Sequence, residues 1–250
     1  MILRRLSINL RAQNWTAIMV EFVMVVLGVF FGILAANWNL ERSAKQETGR
    51  LLSQLDSEMG VFIANLDSIA TYYQVTDAFA AQAAAGWRGD PAVSDSAFVI
   101  AAYQASQING VGNNSSVWAQ IFGAENLRNI DDSGLRLNLR QLMTFDYDLV
   151  HLAAAASRYR EEVRKVIPDV QQKAIRAQCG DKDRPGGIIV IPARCDLVLP
   201  PAEATRTAAA LRARPELAGE LNWHRAAIAT QMQNINTLKN HCIALTKRID

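Results

Sequence analysis

Residues Trp15–Trp38 read WTAIMVEFVMVVLGVFFGILAANW, and this stretch decides the architecture. Glu21 is its only charge, and Phe22–Ala36 carries no polar side chain. About twenty apolar residues, rising 1.5 Å each in a helix, cross a hydrocarbon core of roughly 30 Å. Trp15 and Trp38 stand at the two ends, where an indole with one donor suits the membrane–water interface and acts as an anchor. The run is too long for the apolar region of a secretory signal. Leu34, two positions before Ala36, also spoils a small-residue cleavage pattern. The reading is an uncleaved single-pass transmembrane helix over residues 15–38. A tail over 1–14 precedes it and a soluble helical domain over 39–250 follows.

The helix is not uniform around its axis. At about 100° per residue, Gly28 and Gly32 fall within about 20° of Glu21, and Ala17 and Ala35 within about 40°. Asn14 and Asn39 share that line. The other faces are Val, Phe, Leu, Ile and Met, which suit lipid. Small residues four apart let two helix backbones approach closely. A carboxyl group near the middle of a span faces protein or water, because lipid exposure costs ~2.5 kcal/mol or more there. Asn14, Ala17, Glu21, Gly28, Gly32, Ala35 and Asn39 are therefore the expected packing stripe. Its partners are a copy of this chain or another transmembrane protein, with the bilayer around the rest.

Beyond Asn39 the apolar spacing turns to threes and fours: Leu52, Leu55, Met59, Phe62, Leu66, Ile69 and Tyr73. This is an amphipathic seam on one long helix leaving the membrane. GWRGDP, Gly86–Pro91, is a turn. Ser94 or Asp95 caps a helix to about Gln107, and Ser115 opens a short one carrying Trp118, Ile121 and Phe122. Asp131 or Asp132 caps a further long helix. Its seam runs Leu135, Leu139, Leu142, Leu149, Leu152, Ala156, Tyr159, Val163 and Val166, and it bends at Pro168 and continues to about Gln178. The last seam, Leu217, Leu221, His224, Ile228, Gln231, Ile235, Leu238, Cys242, Leu245 and Ile249, is unbroken. The expected fold class is all-α: an antiparallel bundle of long heptad-patterned helices. A parallel coiled coil between subunits gives the same pattern.

Residues 179–202 interrupt the helices. Ile188–Ile191 and Leu197–Leu199 are short strand-like runs flanked by Gly and Pro, the makings of a small hairpin. Cys179 and Cys195 bracket it, and a disulfide between them would contribute about 3 kcal/mol on the chain-entropy model. Cys242 lies on a seam and reads as a buried apolar residue. Orientation rests on weaker signals. Arg4, Arg5 and Arg11 precede the span, and Arg42, Lys45 and Arg50 follow it, so the positive-inside count ties. The acid-free N-terminal tail and the cysteine spacing favour a cytoplasmic N-terminus and a periplasmic domain on a bacterial inner membrane.

Composition limits the chemistry. Of 250 residues, 50% are hydrophobic and 20% charged, with a net charge of +2, so no field of one sign is available for nucleic acid. Abundant alanine and few aromatics favour close-packed helices. His151, His224 and His241 have no metal-ligand spacing, and His224 reads as a hydrogen-bonded core residue. Glu161 and Glu162, in RYREEVRK, read as a solvated helix face with local ion pairs. Phosphate loops and nucleophile elbows are lacking. The sequence gives no catalytic residue, no metal site and no cofactor, and the expected protein is not an enzyme.

Two stretches resemble a family of uncharacterised bacterial single-span membrane proteins. The first is Glu21, Val25, Val26, Gly28, Val29 and Gly32, then Asn37–Trp38–Asn39 with Glu41–Arg42. The second is Ser116, Trp118 and Ile121, then Leu127, Ile130 and Leu135–Leu139–Leu142. The resemblance implies a membrane anchor with a helical domain and carries no activity with it. The functional expectation is a non-enzymatic accessory subunit that assembles through its transmembrane helix and presents its domain to a partner complex. One alternative is an oligomeric channel or ion-coupled subunit with Glu21 at the transmembrane interface. Another is a ligand-sensing ectodomain relaying to a partner, since about fourteen residues on the far side leave no room for an output domain.

Overall fold

The computed structural model describes residues 15–111, 126–150, 157–185 and 187–249. Asn14, the 1–14 tail, the Ser115–Phe122 helix, His151, Leu152 and Ala156 lie outside them. The chain is mostly helical, and one long apolar helix opens it. That helix, α1 (Trp15–Trp87), is continuous over 73 residues. No proline interrupts it. Its end is set by Gly89, whose φ of 72° is left-handed, while the Asp90 amide reaches back to Ala85 O at 3.1 Å.

Two halves of α1 have different surroundings. From Phe22 to Ser43 every side chain is exposed. From Thr48 buried positions recur in threes and fours, with one step of seven: Thr48, Leu51, Leu55, Met59, Leu66, Ile69, Tyr73, Thr76, Ala80 and Ala83. The packed seam thus extends beyond both ends of the one read from sequence.

Helix α2 (Asp95–Gln104) is capped by Ser94, whose Oγ accepts from the Ala97 amide at 3.2 Å. Phe98–Gln104 is buried on all sides, as expected of a helix apolar all round. Helix α3 (Ser133–Met143) starts at Asp132, whose carboxylate accepts from the Gly134 and Leu135 amides at 2.7 and 3.2 Å. The sequence reading continued this helix to Gln178; the structure breaks it. After a 3-10 turn at Tyr147–Val150 come α4 (Arg158–Val166) and α5 (Asp169–Cys179). Ile167 between them is extended, with ψ of 122°, because the Pro168 ring disfavours helical backbone in the residue before it. Gln172 Nε2 spans the break, donating to Arg164 O at 2.7 Å and Ile167 O at 2.8 Å. Proline here separates two helices and does not merely bend one.

The 179–202 excursion contains a hairpin, but not of the two apolar runs. β1 (Lys182–Arg184) pairs antiparallel with β2 (Ile188–Val190) in the register Lys182↔Val190, Asp183↔Ile189, Arg184↔Ile188. Leu197–Leu199 is not a strand; Leu199 is buried in the core and its amide donates to Ser96 Oγ at 3.0 Å. Cys179 and Cys195 form a disulfide with Cα atoms 5.4 Å apart. Helix α6 (Pro201–Arg212), unread in the sequence, is held by Trp87 Nε1 donating to Leu211 O at 3.0 Å. Helix α7 (Glu216–Ile249) buries Leu217, Leu221, His224, Ile228, Gln231, Ile235, Leu238, Cys242 and Leu245.

Helix α7 runs antiparallel to α1: Arg225 pairs with Asp77 at 2.6 Å, and Lys239, further along α7, pairs with Asp67, nearer the start of α1. The core has two parts. One joins the lower seam of α1 to α3 and the C-terminal half of α7. The other surrounds α2 with the end of α1, with α4–α6 and with the start of α7.

Candidate functional site

Two regions carry features that packing alone does not explain. The first is the exposed half of α1. Ala17 and Glu21 are half-buried, whereas Gly28, Gly32, Ala35 and Asn39 are exposed, as are Trp15 and Trp38. A methyl group added at Gly28 or Gly32 would meet nothing within 4 Å. Glu21 Oε2 is shielded from solvent and has no hydrogen-bond partner. Among the described residues, nothing is set against the Gly28–Asn39 part of the stripe. Arg42 stacks over the Trp38 ring at 5.6 Å.

The stripe also has a defined direction relative to the domain. Continued through α1 at ~100° per residue, Thr48, Leu55 and Leu66 lie within about 20° of the direction opposite Glu21. On that ideal geometry the small-residue face points away from the side of α1 on which the domain packs.

The second region surrounds the C-terminal end of α2. Arg160 and Arg164, four apart on α4, both point at it. Arg160 Nη1 donates to Ser106 O, and Arg164 donates from Nε to Ser106 Oγ at 3.0 Å and from Nη2 to Gln107 Oε1 at 2.8 Å. Arg164 lies over the Tyr103 ring at 4.8 Å, and Arg176 Nη1 donates to the Tyr103 hydroxyl at 3.1 Å. Tyr72 donates to Asp181 at 2.9 Å, and Tyr73 donates to Asn109 O. Burial and the nearby Arg160 and Arg176 guanidiniums push the Arg164 pKa down from its ordinary value.

Beside this cluster, His224 is fully buried between Ser157 Oγ, 2.7 Å from Nδ1, and Ala105 O, 3.1 Å from Nε2. With Nε2 protonated it donates to the carbonyl and accepts from the serine. Burial holds its pKa down at about 4, partly opposed by the carbonyl. Ser157 also caps α4 through the Arg160 amide. The pair joins α4, α7 and the end of α2, a structural arrangement centred on a neutral imidazole.

Among the described residues, no group of three His, Cys, Asp or Glu side chains could hold a metal ion. Glu161 and Glu162 pair with Lys165, and Glu162 also with Arg214 at 3.0 Å. Sequence reasoning missed the arginine cluster, although the i, i+4 spacing of Arg160 and Arg164 placed both on one face of α4. Comparison with protein-family models, with curated proteins and with solved structures finds no match to this chain. Its chemistry is read from its own residues.

Proposed function

We propose that the chain is a non-enzymatic accessory subunit of a bacterial inner-membrane assembly. It is anchored by residues 15–38 and presents the 39–250 domain to a partner on the periplasmic side. One observation carries the reading: an apolar run with mean hydropathy 2.6 and no buried side chains continues without a break into a packed domain. Such a surface is stable only against lipid or another apolar partner. The Cys179–Cys195 disulfide supports an oxidising compartment for the domain.

The stripe of Ala17, Glu21, Gly28, Gly32 and Ala35 is where a second transmembrane helix packs. Because it faces away from the domain, that helix approaches without meeting the domain. A cysteine-crosslinking scan over residues 24–36 in native membranes tests this. The expected yield peaks at Gly28 and Gly32, and flat reactivity around the helix overturns it. Retention of the chain in the membrane pellet through an alkaline carbonate wash tests the anchor itself; release into the supernatant overturns it.

The unpartnered Glu21 Oε2 favours a second reading, in which several copies bring this carboxylate into a ring as a cation site or proton relay. Mass measurement of the complex purified in mild detergent separates the two. One or two copies with another chain supports the accessory subunit, and a ring of identical copies supports the channel.

A further inference from the structure

We propose that the guanidiniums of Arg160, Arg164 and Arg176 bind a small oxyanion of the phosphate class. The starting point is a charge count around the end of α2. Among the described residues no carboxylate lies within ion-pair distance of Arg160 or Arg164. Their hydrogen bonds go to neutral acceptors: a carbonyl, a hydroxyl and an amide oxygen. Arg176 reaches Asp169 only at 3.8 Å, and Lys173 holds that carboxylate more closely, at 2.7 Å. Asp181 accepts from Tyr72.

Capping the end of α2 explains part of this arrangement. A helix C-terminus supplies about half a negative charge, and cations there are stabilising. Adding Asp169, Asp181 and the C-terminal end of α5, whose Cys179 carbonyl accepts from Gln104 at 2.6 Å and whose last turn holds Arg176, still leaves Arg160, Arg164, Arg176 and Lys173 in excess by roughly one positive charge. Arginine keeps its proton in proteins, so the burial, and after it the repulsion from Arg160 and Arg176, that disfavour the charge on Arg164 are not relieved by deprotonation. They are relieved by an anion. Planar guanidinium forks match a phosphate-type oxyanion through paired N–H donors. Arg164 is fixed by its stacking on Tyr103, and Arg176 is half-exposed and open to solvent.

The ligand is a soluble anion and not a headgroup of the anchoring membrane. Tyr72, beside the cluster, stands about 50 Å along α1 from Trp38 at 1.5 Å per residue. That choice rests on the anchor reading; the anion site itself does not.

Thermal unfolding of the full chain in mild detergent tests the site. Inorganic phosphate is compared with sodium chloride at equal ionic strength and pH. Phosphate should raise Tm by about 3–6 °C and saturate at millimolar concentration, as for a ligand well above its Kd. R176Q, a change at a half-exposed position, should abolish the difference, and R164Q likewise if it folds. R158Q, whose guanidinium faces Glu220 at 3.8 Å on the outer side of α4, should keep it. Equal Tm in phosphate and chloride overturns the proposal, as does an undiminished phosphate effect in R176Q. Detergent micelles doped with phosphatidylglycerol form a second arm. Stabilisation by the lipid without stabilisation by phosphate would overturn the soluble-anion assignment.

Discussion

His224 couples stability to pH. Its folded pKa of about 4 lies below the ordinary histidine value of 6.5, so the unfolded chain binds the extra proton first. Stability from the neutral, hydrogen-bonded ring is complete above pH 6.5. It is lost as pH falls towards 4, by about 2–3 kcal/mol at pH 4.5. Urea unfolding at pH 7 and pH 4.5 measures the loss, and H224Q, which does not titrate, should show a decline smaller by about that amount. An equal decline in both proteins would mean the ring is not the source. Gly86 is a second sensitive position: a Cβ there would meet the Phe98 ring inside the α1–α2 contact. G86A should cost about 1–3 kcal/mol by overpacking, read as a lower urea midpoint. G28A should leave the domain's midpoint unchanged, since that site is open. His224 was legible in sequence from its place on an unbroken seam. Ser157 and Ala105, its partners, were not, because they are 67 and 119 positions away.

Elements differ in how far local pattern reveals them. Helix α7 was legible from end to end because every core position is a large apolar residue or a single polar one in strict three–four spacing. Helix α6 was not: its buried face is Ala204, Thr207, Ala208 and Leu211, too small and polar to stand out. Strand β1 is fully exposed and its sequence, KDR, has no strand propensity; it is held by pairing with β2. The α4–α5 break was half legible, since Pro168 was visible but the Gln172 amide that makes a clean break tolerable was not. Two of the three clustered arginines were hidden within RYREEVRK, where the glutamates do form the local pairs that a solvated face implies. Arg160 and Arg164 use the other side. The disulfide closes a separation of 16 residues around β1 and β2. Changing both cysteines to serine should cost about 3 kcal/mol, read as a lower unfolding midpoint than the oxidised parent. A parent that already behaves identically under reductant would show that the bond adds nothing.

At the scale of the molecule, α1 is the mechanical link between the stripe and the domain. At 1.5 Å per residue its 73 residues extend about 110 Å, with no glycine pair or proline between Trp38 and Thr48 to act as a hinge. Among the described residues, the first ion pair from this junction to the domain is the exposed Lys45–Asp131 pair at 3.0 Å, and the first buried side chain of α1 is Thr48, so residues inserted between Arg42 and Ser43 leave the packed core intact. They change only the phase between stripe and domain. Two inserted alanines turn one against the other by about 200°; seven turn it by about 700°, some 20° short of two full turns, and raise the domain by about 10 Å. If one partner contacts both ends of α1, the seven-residue insertion should retain it through mild-detergent purification several-fold better than the two-residue insertion. The domain's own urea midpoint should be the same in both. Equal retention in the two variants would show that the stripe and the domain engage independently and that the continuity of α1 transmits no orientation.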